Sequence, residues 1–213
     1  MRFELRLAHD PERVSSLRQP TVHDPWRVLL SGCMAAWPCG VDATSFGMEG
    51  EGPSWLRGPL VTVVPFCPEA HALGAPRTMP DCHGGDGFDV LAGRATVKDP
   101  EGRDLTEAMI AGGRAMVDVA RAFAVDFAVL TDTSAACGTQ VISLGCRFDA
   151  PRRYQRGVGV ATALLIEAGF PVVSQRDHRT LAALARRLDP TAPIDAAARD
   201  HHEHPWVLEH LPD

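Results

Sequence analysis

No stretch of the 213-residue sequence reaches the roughly 18 uninterrupted apolar residues of a membrane-spanning helix. The amino terminus, Met1-Arg2-Phe3-Glu4-Leu5-Arg6, alternates charges where a secretion signal would carry an apolar core. Both absences point to a cytoplasmic protein with no membrane partner. Positive charge is also short, 21 Lys and Arg against 27 Asp and Glu, for a net charge of −6. That balance argues against tight, non-specific binding to nucleic acid or anionic lipid. There is no internal repeat and no low-complexity tract. None of the six cysteines forms the C-x-x-C pair common in structural zinc sites. Without a secretion signal they do not read as a disulfide framework either, because the cytosol keeps thiols reduced.

What is present is an ordinary soluble composition, 45% hydrophobic and 23% charged, enough for one full core. Four short, continuously apolar segments read as strands covered on both faces: Arg27 to Ser31, Leu60 to Val64, Phe127 to Thr131 and Pro171 to Ser174. A helix is expected from Asp104, with Glu107 completing a capping-box pattern, to about Val125, locally weakened at Gly112-Gly113. Further helices are expected over about 160–168, closed by Gly169, and over about 179–188. Strands alternating with helices imply parallel pairing, hence a three-layer α/β fold with a mainly parallel sheet. Residues 27–188 form its domain. Residues 1–26, with a short helix near Pro11 to Leu17, and residues 189–213 read as N- and C-terminal extensions. The stretches 42–58 and 81–93 read as loops.

Three cysteines fall just beyond strand ends: Cys33 after RVLLSG, Cys67 after LVTVVPF and Cys137 after FAVLTDTSAA. In a parallel sheet those ends share one edge, where open α/β folds place their ligand crevice. Three thiols distant in sequence are thus candidates to meet. Buried structural thiols, a zinc site and an iron-sulfur site are the alternatives this pattern leaves. With three protein ligands, a four-iron cluster keeps one iron open to substrate.

The residues around these thiols resemble the TudS-like thiouracil desulfurases. The matching stretches are Ser31-Gly32-Cys33 with Cys39 and Asp42; Val64-Pro65-Phe66-Cys67-Pro68-Glu69 with Pro76-Arg77; Ser134-Ala135-Ala136-Cys137-Gly138; and Gly157 to Leu165. Residues Lys98 to Glu107 resemble the family's approach to its central helix, and the likeness covers roughly 27–187. It implies a Rossmann-like fold and an oxygen-sensitive 4Fe-4S cluster on Cys33, Cys67 and Cys137, with one open iron. It also implies that a small thiolated base, nucleoside or nucleotide exchanges its C=S sulfur for water oxygen without net redox change. Glu69 is the candidate general base and Ser134 its proton-relay partner; their structural alternatives are an ion pair with Arg77 and a turn-capping hydroxyl. Cys39, Asp42, Arg77 and Gly138 are the substrate-binding candidates.

The chain departs from the family's pattern at Gly40-Val41-Asp42-Ala43, at Ala72-Leu73-Gly74 and at Ala135-Ala136. The small residues beside Cys137 are expected to leave room for a cluster and a planar base. Cys82-His83 sits in a Gly-rich stretch that is a candidate cover for the site, and Cys146 is read as structural. Gly157 to Thr162 opens a helix whose N-terminus is a candidate anion site, with Arg152 to Arg156 a basic patch beside it. His201-His202-Glu203-His204 reads as a solvated surface of an exposed tail. Two rival readings use the same thiols: a non-catalytic iron-sulfur or zinc sensor, and iron-free catalysis by a thiolate such as Cys137. Nothing in the sequence sets the oligomeric state.

Overall fold

The computed structural model describes residues 4–48, 50 and 52–211. Its strands are β1 (Trp26–Ser31), β2 (Val61–Phe66), β3 (Asp81–His83), β4 (Thr96–Lys98), β5 (Phe127–Leu130), β6 (Val141–Ser143), β7 (Tyr154–Arg156) and β8 (Val172–Ser174). Its helices are α1 (Pro11–Ser16), α2 (Pro68–Leu73), α3 (Gly87–Leu91), α4 (Thr106–Ala122), α5 (Val160–Glu167), α6 (His178–Leu188) and α7 (Pro205–His210). The four expected apolar segments form one fully parallel sheet in the order β2-β1-β5-β8. Side chains alternate across it, as a two-residue period demands. Leu29, Ala128, Leu130 and Val172 pack with Met109 and Met116 of α4 and Leu165 of α5. Val28, Leu30, Phe127, Val129 and Val173 pack on the other face with Val14 of α1 and Leu181 and Leu184 of α6. The result is a three-layer, Rossmann-like α/β fold. Among the described residues no helix is long and apolar enough to cross a membrane.

Helix α4 starts at Thr106 rather than Asp104, and the capping box does not form. Asp104 instead bridges antiparallel to Lys98, and Leu105, at the N-cap, donates its N–H to Val97 O at 2.8 Å. The helix runs unbroken through Gly112-Gly113, where Pro68 of α2 and Ala161 of α5 come close. The stretch 81–93 is not the loop expected. It holds β3 and α3, the latter begun by Asp86, whose Oδ1 accepts the N–H groups of Phe88 and Asp89 in a capping box. Among the described residues of the stretch 42–58, Ser54–Arg57 form a 3-10 turn.

The outer segments pack on the same body. Leu5 O accepts the Val172 N–H at 2.7 Å, and Arg6 pairs with Val172 at the β8 edge. Val207 of α7 packs with Val141 and Leu211. The His201 cluster is not a solvated tail: His201 is 8% exposed and its Nδ1 lies 2.5 Å from the buried carboxylate of Asp132. A short histidine-rich run looks polar in sequence, but a buried carboxylate needs just such a donor.

Candidate functional site

Because β2, β1 and β5 are neighbours and parallel, the segments leaving their carboxyl ends lie side by side. Ser31 ends β1 and the chain turns at once into the 3-10 turn Gly32–Ala35, which carries Cys33. Phe66 ends β2, and Cys67 caps α2, with Pro68 at its first position and the Cys67 sulfur accepting the Ala70 N–H at 3.4 Å. Beyond β5 the loop from Thr131 carries Ser134 and Cys137. The three segments enclose a cavity of about 240 Å³ lined by Cys33, Cys39, Cys67, Cys137, Glu69, Arg77 and Ser134. Val41, Phe46, Met48, Phe66 and Met79 supply apolar wall, and Thr131, Asp132, Thr133 and Arg147 complete it. Two larger surface clefts, of about 700 and 890 Å³, contain no thiol.

The four thiols differ in their electrostatics. The neighbouring Cys39 thiol lowers the pKa of both Cys33 and Cys67, and the Cys67 thiol itself lies 3.8 Å from the Cys39 carbonyl oxygen. The Cys33 thiol is brought down to about 7 by that neighbour, against the opposing effect of burial, and Thr131 Oγ1 stands 3.1 Å from its sulfur. Cys67 is lowered for the same first reason. Cys39 is pushed up by the same two neighbours. Burial raises Cys137 well above the ordinary thiol value, and the neighbouring charge of Cys67 adds to the effect. Gly32 permits the close approach on one side: a Cβ there would meet Cys67 Cβ at 3.2 Å and Cys39 Sγ at 3.3 Å. Among the described residues, no three His, Cys, Asp or Glu side chains gather tightly enough for a single ion. The thiols are distributed around a cavity instead.

Glu69 joins the second and third segments. Its Oε2 accepts from Arg77 Nη2 at 2.6 Å, and its Oε1 accepts the Ser134 hydroxyl at 3.0 Å. Ser134 Oγ in turn accepts the N–H groups of Ala136 and Cys137 at 3.1 and 3.0 Å. Both alternatives posed for these residues therefore hold together: the ion pair and the turn-capping hydroxyl are parts of one chain that ends at Cys137. Arg77 Nη1 donates to the carbonyls of Cys39, Gly40 and Gly74 at 2.8, 3.3 and 3.1 Å, clamping the Cys39 segment to Glu69.

Not every expected residue reaches the cavity. Asp42 is exposed and turns inward on Thr44, which lowers its pKa by donating both its hydroxyl and its N–H. Gly138 is buried behind the lining, its N–H bonded to Ser134 O and its carbonyl to Gly159 N. Ala135 and Ala136 are buried and do not line the cavity. Their carbonyls accept the first N–H groups of α5, from Val160, Ala161 and Thr162, at 2.9 to 3.1 Å. The α5 N-terminus expected to hold an anion is thus occupied by the Cys137 loop. A Cβ at Gly159 would lie 2.4 Å from Ala136 O, so the small residues on both sides serve this contact. Cys82 is in β3, fully buried, and does not cover the site; Tyr154 to Arg156 form β7, outside the thiol cavity. Thr131, Arg147 and the apolar wall had no distinguishing signal in the sequence, since each is set by where a loop returns.

Fold and cavity together define a Rossmann-like α/β protein whose ligand crevice is built from strand-end segments and lined with soft sulfur donors. The chain belongs to the 2-thiouracil desulfurase family, a family of enzymes, which it matches over residues 28–177. It is 32% identical over 154 residues to the uncharacterized protein YbbK of Bacillus subtilis (strain 168), a match spanning 70% of this chain and 96% of YbbK. Among solved structures it is similar to the 4Fe-4S-dependent thiouracil desulfidase TudS, with a TM-score of 0.59 and 27% identity over 78% of this chain and 99% of that one.

Proposed function

We propose that the protein is a non-redox desulfidase that converts the C=S group of a small thiolated pyrimidine base, nucleoside or nucleotide to C=O. Water supplies the oxygen and sulfide is released. The observation that carries this reading is the convergence of Cys33, Cys67 and Cys137 on the cavity that also holds the Glu69–Ser134 pair. Soft thiol donors spread around a cavity suit a multinuclear iron-sulfur group better than one hard or compactly bound ion. Cys33, Cys67 and Cys137 would hold a 4Fe-4S cluster, leaving one iron without a protein ligand. Bound there, the cluster supplies a thiophilic Lewis acid for the thiocarbonyl sulfur.

The remaining work falls to side chains. Glu69 Oε2 is engaged by Arg77, so Oε1 is the oxygen open to take the proton of the attacking water, and Ser134 Oγ, 3.0 Å away, holds it toward the Cys137 loop. The clamp of Arg77 on the Cys39, Gly40 and Gly74 carbonyls keeps that carboxylate in place. Phe46, Phe66, Met48 and Met79 offer apolar surface to a planar base and exclude bulk water. The neighbouring Cys33 and Cys67 push Cys39 up, which favours its thiol form.

The test is sulfide release from 2-thiouracil by anaerobically reconstituted protein, before and after iron chelation. Release that is lost on chelation supports the desulfidase; a cluster-loaded chain inactive on thiolated bases, nucleosides and nucleotides supports a sensor instead. Release that survives chelation and disappears on alkylation would point to a thiolate nucleophile.

A further inference from the structure

The carboxylate of Asp132 closes the loop that carries Ser134 and Cys137. It is buried, and its Oδ1 accepts the N–H groups of Thr133, Thr139, Gln140 and Val141 at 3.0 to 3.2 Å. One oxygen thus ties the beginning of the loop to its end. Oδ2 accepts the Ser174 hydroxyl at 3.1 Å and faces His201 Nδ1 at 2.5 Å, from 69 residues along the chain. Since a carboxylate only accepts, Nδ1 carries the hydrogen. The His201 main-chain N–H is held as well, donating to Asp177 Oδ1 at 3.0 Å, while Asp177 Oδ2 accepts the Ser174 N–H at 2.8 Å. His201 lies 24 residues beyond Asp177, where the family match ends. Its segment therefore adds to this loop something outside the matched span.

We infer that His201 is a positioning residue, whose imidazole N–H fixes Asp132 so that the loop 132–141 holds Ser134 Oγ and Cys137 Sγ in place at the cavity. Without it, Oδ2 keeps only the Ser174 hydroxyl, and a buried carboxylate short of donors costs more than its neighbours can offset. Asp132 already lines the cavity, so the relief open to it is to turn toward solvent there. Turning releases the N–H groups of Thr139, Gln140 and Val141 from Oδ1 and loosens that end of the loop, while the Thr133 N–H keeps its bond to Val141 O at 3.0 Å. Only the kinetic consequence rests on the desulfidase reading; the ordering of the loop does not.

Amide hydrogen exchange on the full chain, read over residues 132–141, tests the brace directly, with steady-state desulfuration by cluster-loaded protein as the second readout. In H201A, exchange at Thr139, Gln140 and Val141 is expected to rise about tenfold while β1 and α4 are unchanged. Its kcat is expected to fall about tenfold with KM within about twofold, since positioning acts on the reacting groups and not on substrate affinity. H201N, whose amide nitrogen replaces Nδ1, should recover most of both effects, and H201Q, whose nitrogen reaches the Nε2 position, should recover less. The Trp206→Ala variant disturbs the same segment without touching Asp132 and should leave loop exchange as in wild type. Unchanged loop exchange in H201A, equal loosening by W206A, or indistinguishable behaviour of H201N and H201Q would overturn the inference. The Asn and Gln pair also decides the matter where H201A fails to fold. A wild type that releases no sulfide sinks the functional reading, and the exchange comparison still decides the brace.

Discussion

Glu69 has two partners that pull it in different directions: Arg77 anchors one oxygen and Ser134 holds the other toward Cys137. An amide in its place keeps the shape and loses the proposed base. The Glu69→Gln variant is therefore expected to retain its iron and to lose about 10²-fold or more in kcat, measured as sulfide release. A variant with full activity would remove Glu69 from the proton path. Arg77 is a different case, because its side chain is only 5% exposed and serves Glu69 and three carbonyls at once. A lysine cannot reproduce that fork, and Arg77→Lys is expected to lower stability by about 1–3 kcal/mol in urea unfolding. At this scale the motif Cys67-Pro68-Glu69 drew attention for its thiol and carboxylate, while the cap that Cys67 forms and the helix that Pro68 starts were not read from it. The sequence misled at Asp42 and Gly138, whose neighbours in sequence line the cavity while they themselves satisfy turns. It was silent on Arg147, which reaches the cavity from a loop anchored by its ion pair with Asp81 at 2.7 Å.

The contact between the Cys137 loop and α5 is a relation between elements. Each of the first three N–H groups of α5 finds a loop carbonyl, so helix start and site loop stabilise one another. Gly159 has an extended backbone, φ −73° and ψ 166°, that any residue adopts; what it lacks is space. Gly159→Ala is expected to destabilise the fold by about 1–3 kcal/mol and to raise alkylation of buried Cys137 in cluster-free protein, read by peptide mass spectrometry. Unaltered stability and alkylation would mean that the loop can shift without consequence. The four sheet strands were legible because each is a short apolar run bounded by turns. The small elements β3 and α3 were not, since their stability comes from Asp86 capping and from pairing of Asp81–His83 with Thr96–Lys98, neither of which leaves a periodic pattern.

Across the whole molecule, the segment after α6 returns to the sheet edge and places buried ionisable groups beneath the site. Burial pushes the Asp177 carboxyl up to about 7, and the nearby negative charges of Asp132 and Asp200 add to it. Its ordinary value is 3.8, so between about pH 4 and 7 the folded chain holds a proton that the unfolded chain has released. Stability from this group is present in full below that window and declines as pH rises through it. His9, lowered to about 4 by burial, contributes the opposite slope. The difference between wild type and Asp177→Asn isolates the first: urea midpoints at pH 5 and 7.5 should differ less in favour of pH 5 for the variant. Identical differences in the two proteins would rule out a titrating Asp177. The packing of this segment was hidden in the sequence because a run of histidines and a glutamate reads as surface until Asp132 is placed beneath it.

Convergence of three strand-end thiols on one open iron is best tested by anaerobic reconstitution of wild type and of Cys33→Ser, Cys67→Ser and Cys137→Ser, with iron counted and sulfide release from 2-thiouracil followed on the same samples. About four irons per wild-type chain, with cluster and sulfide release lost together in each serine variant, is the expected result. A wild type that binds no iron, or any one of the three variants that keeps both its cluster and its activity, would contradict it.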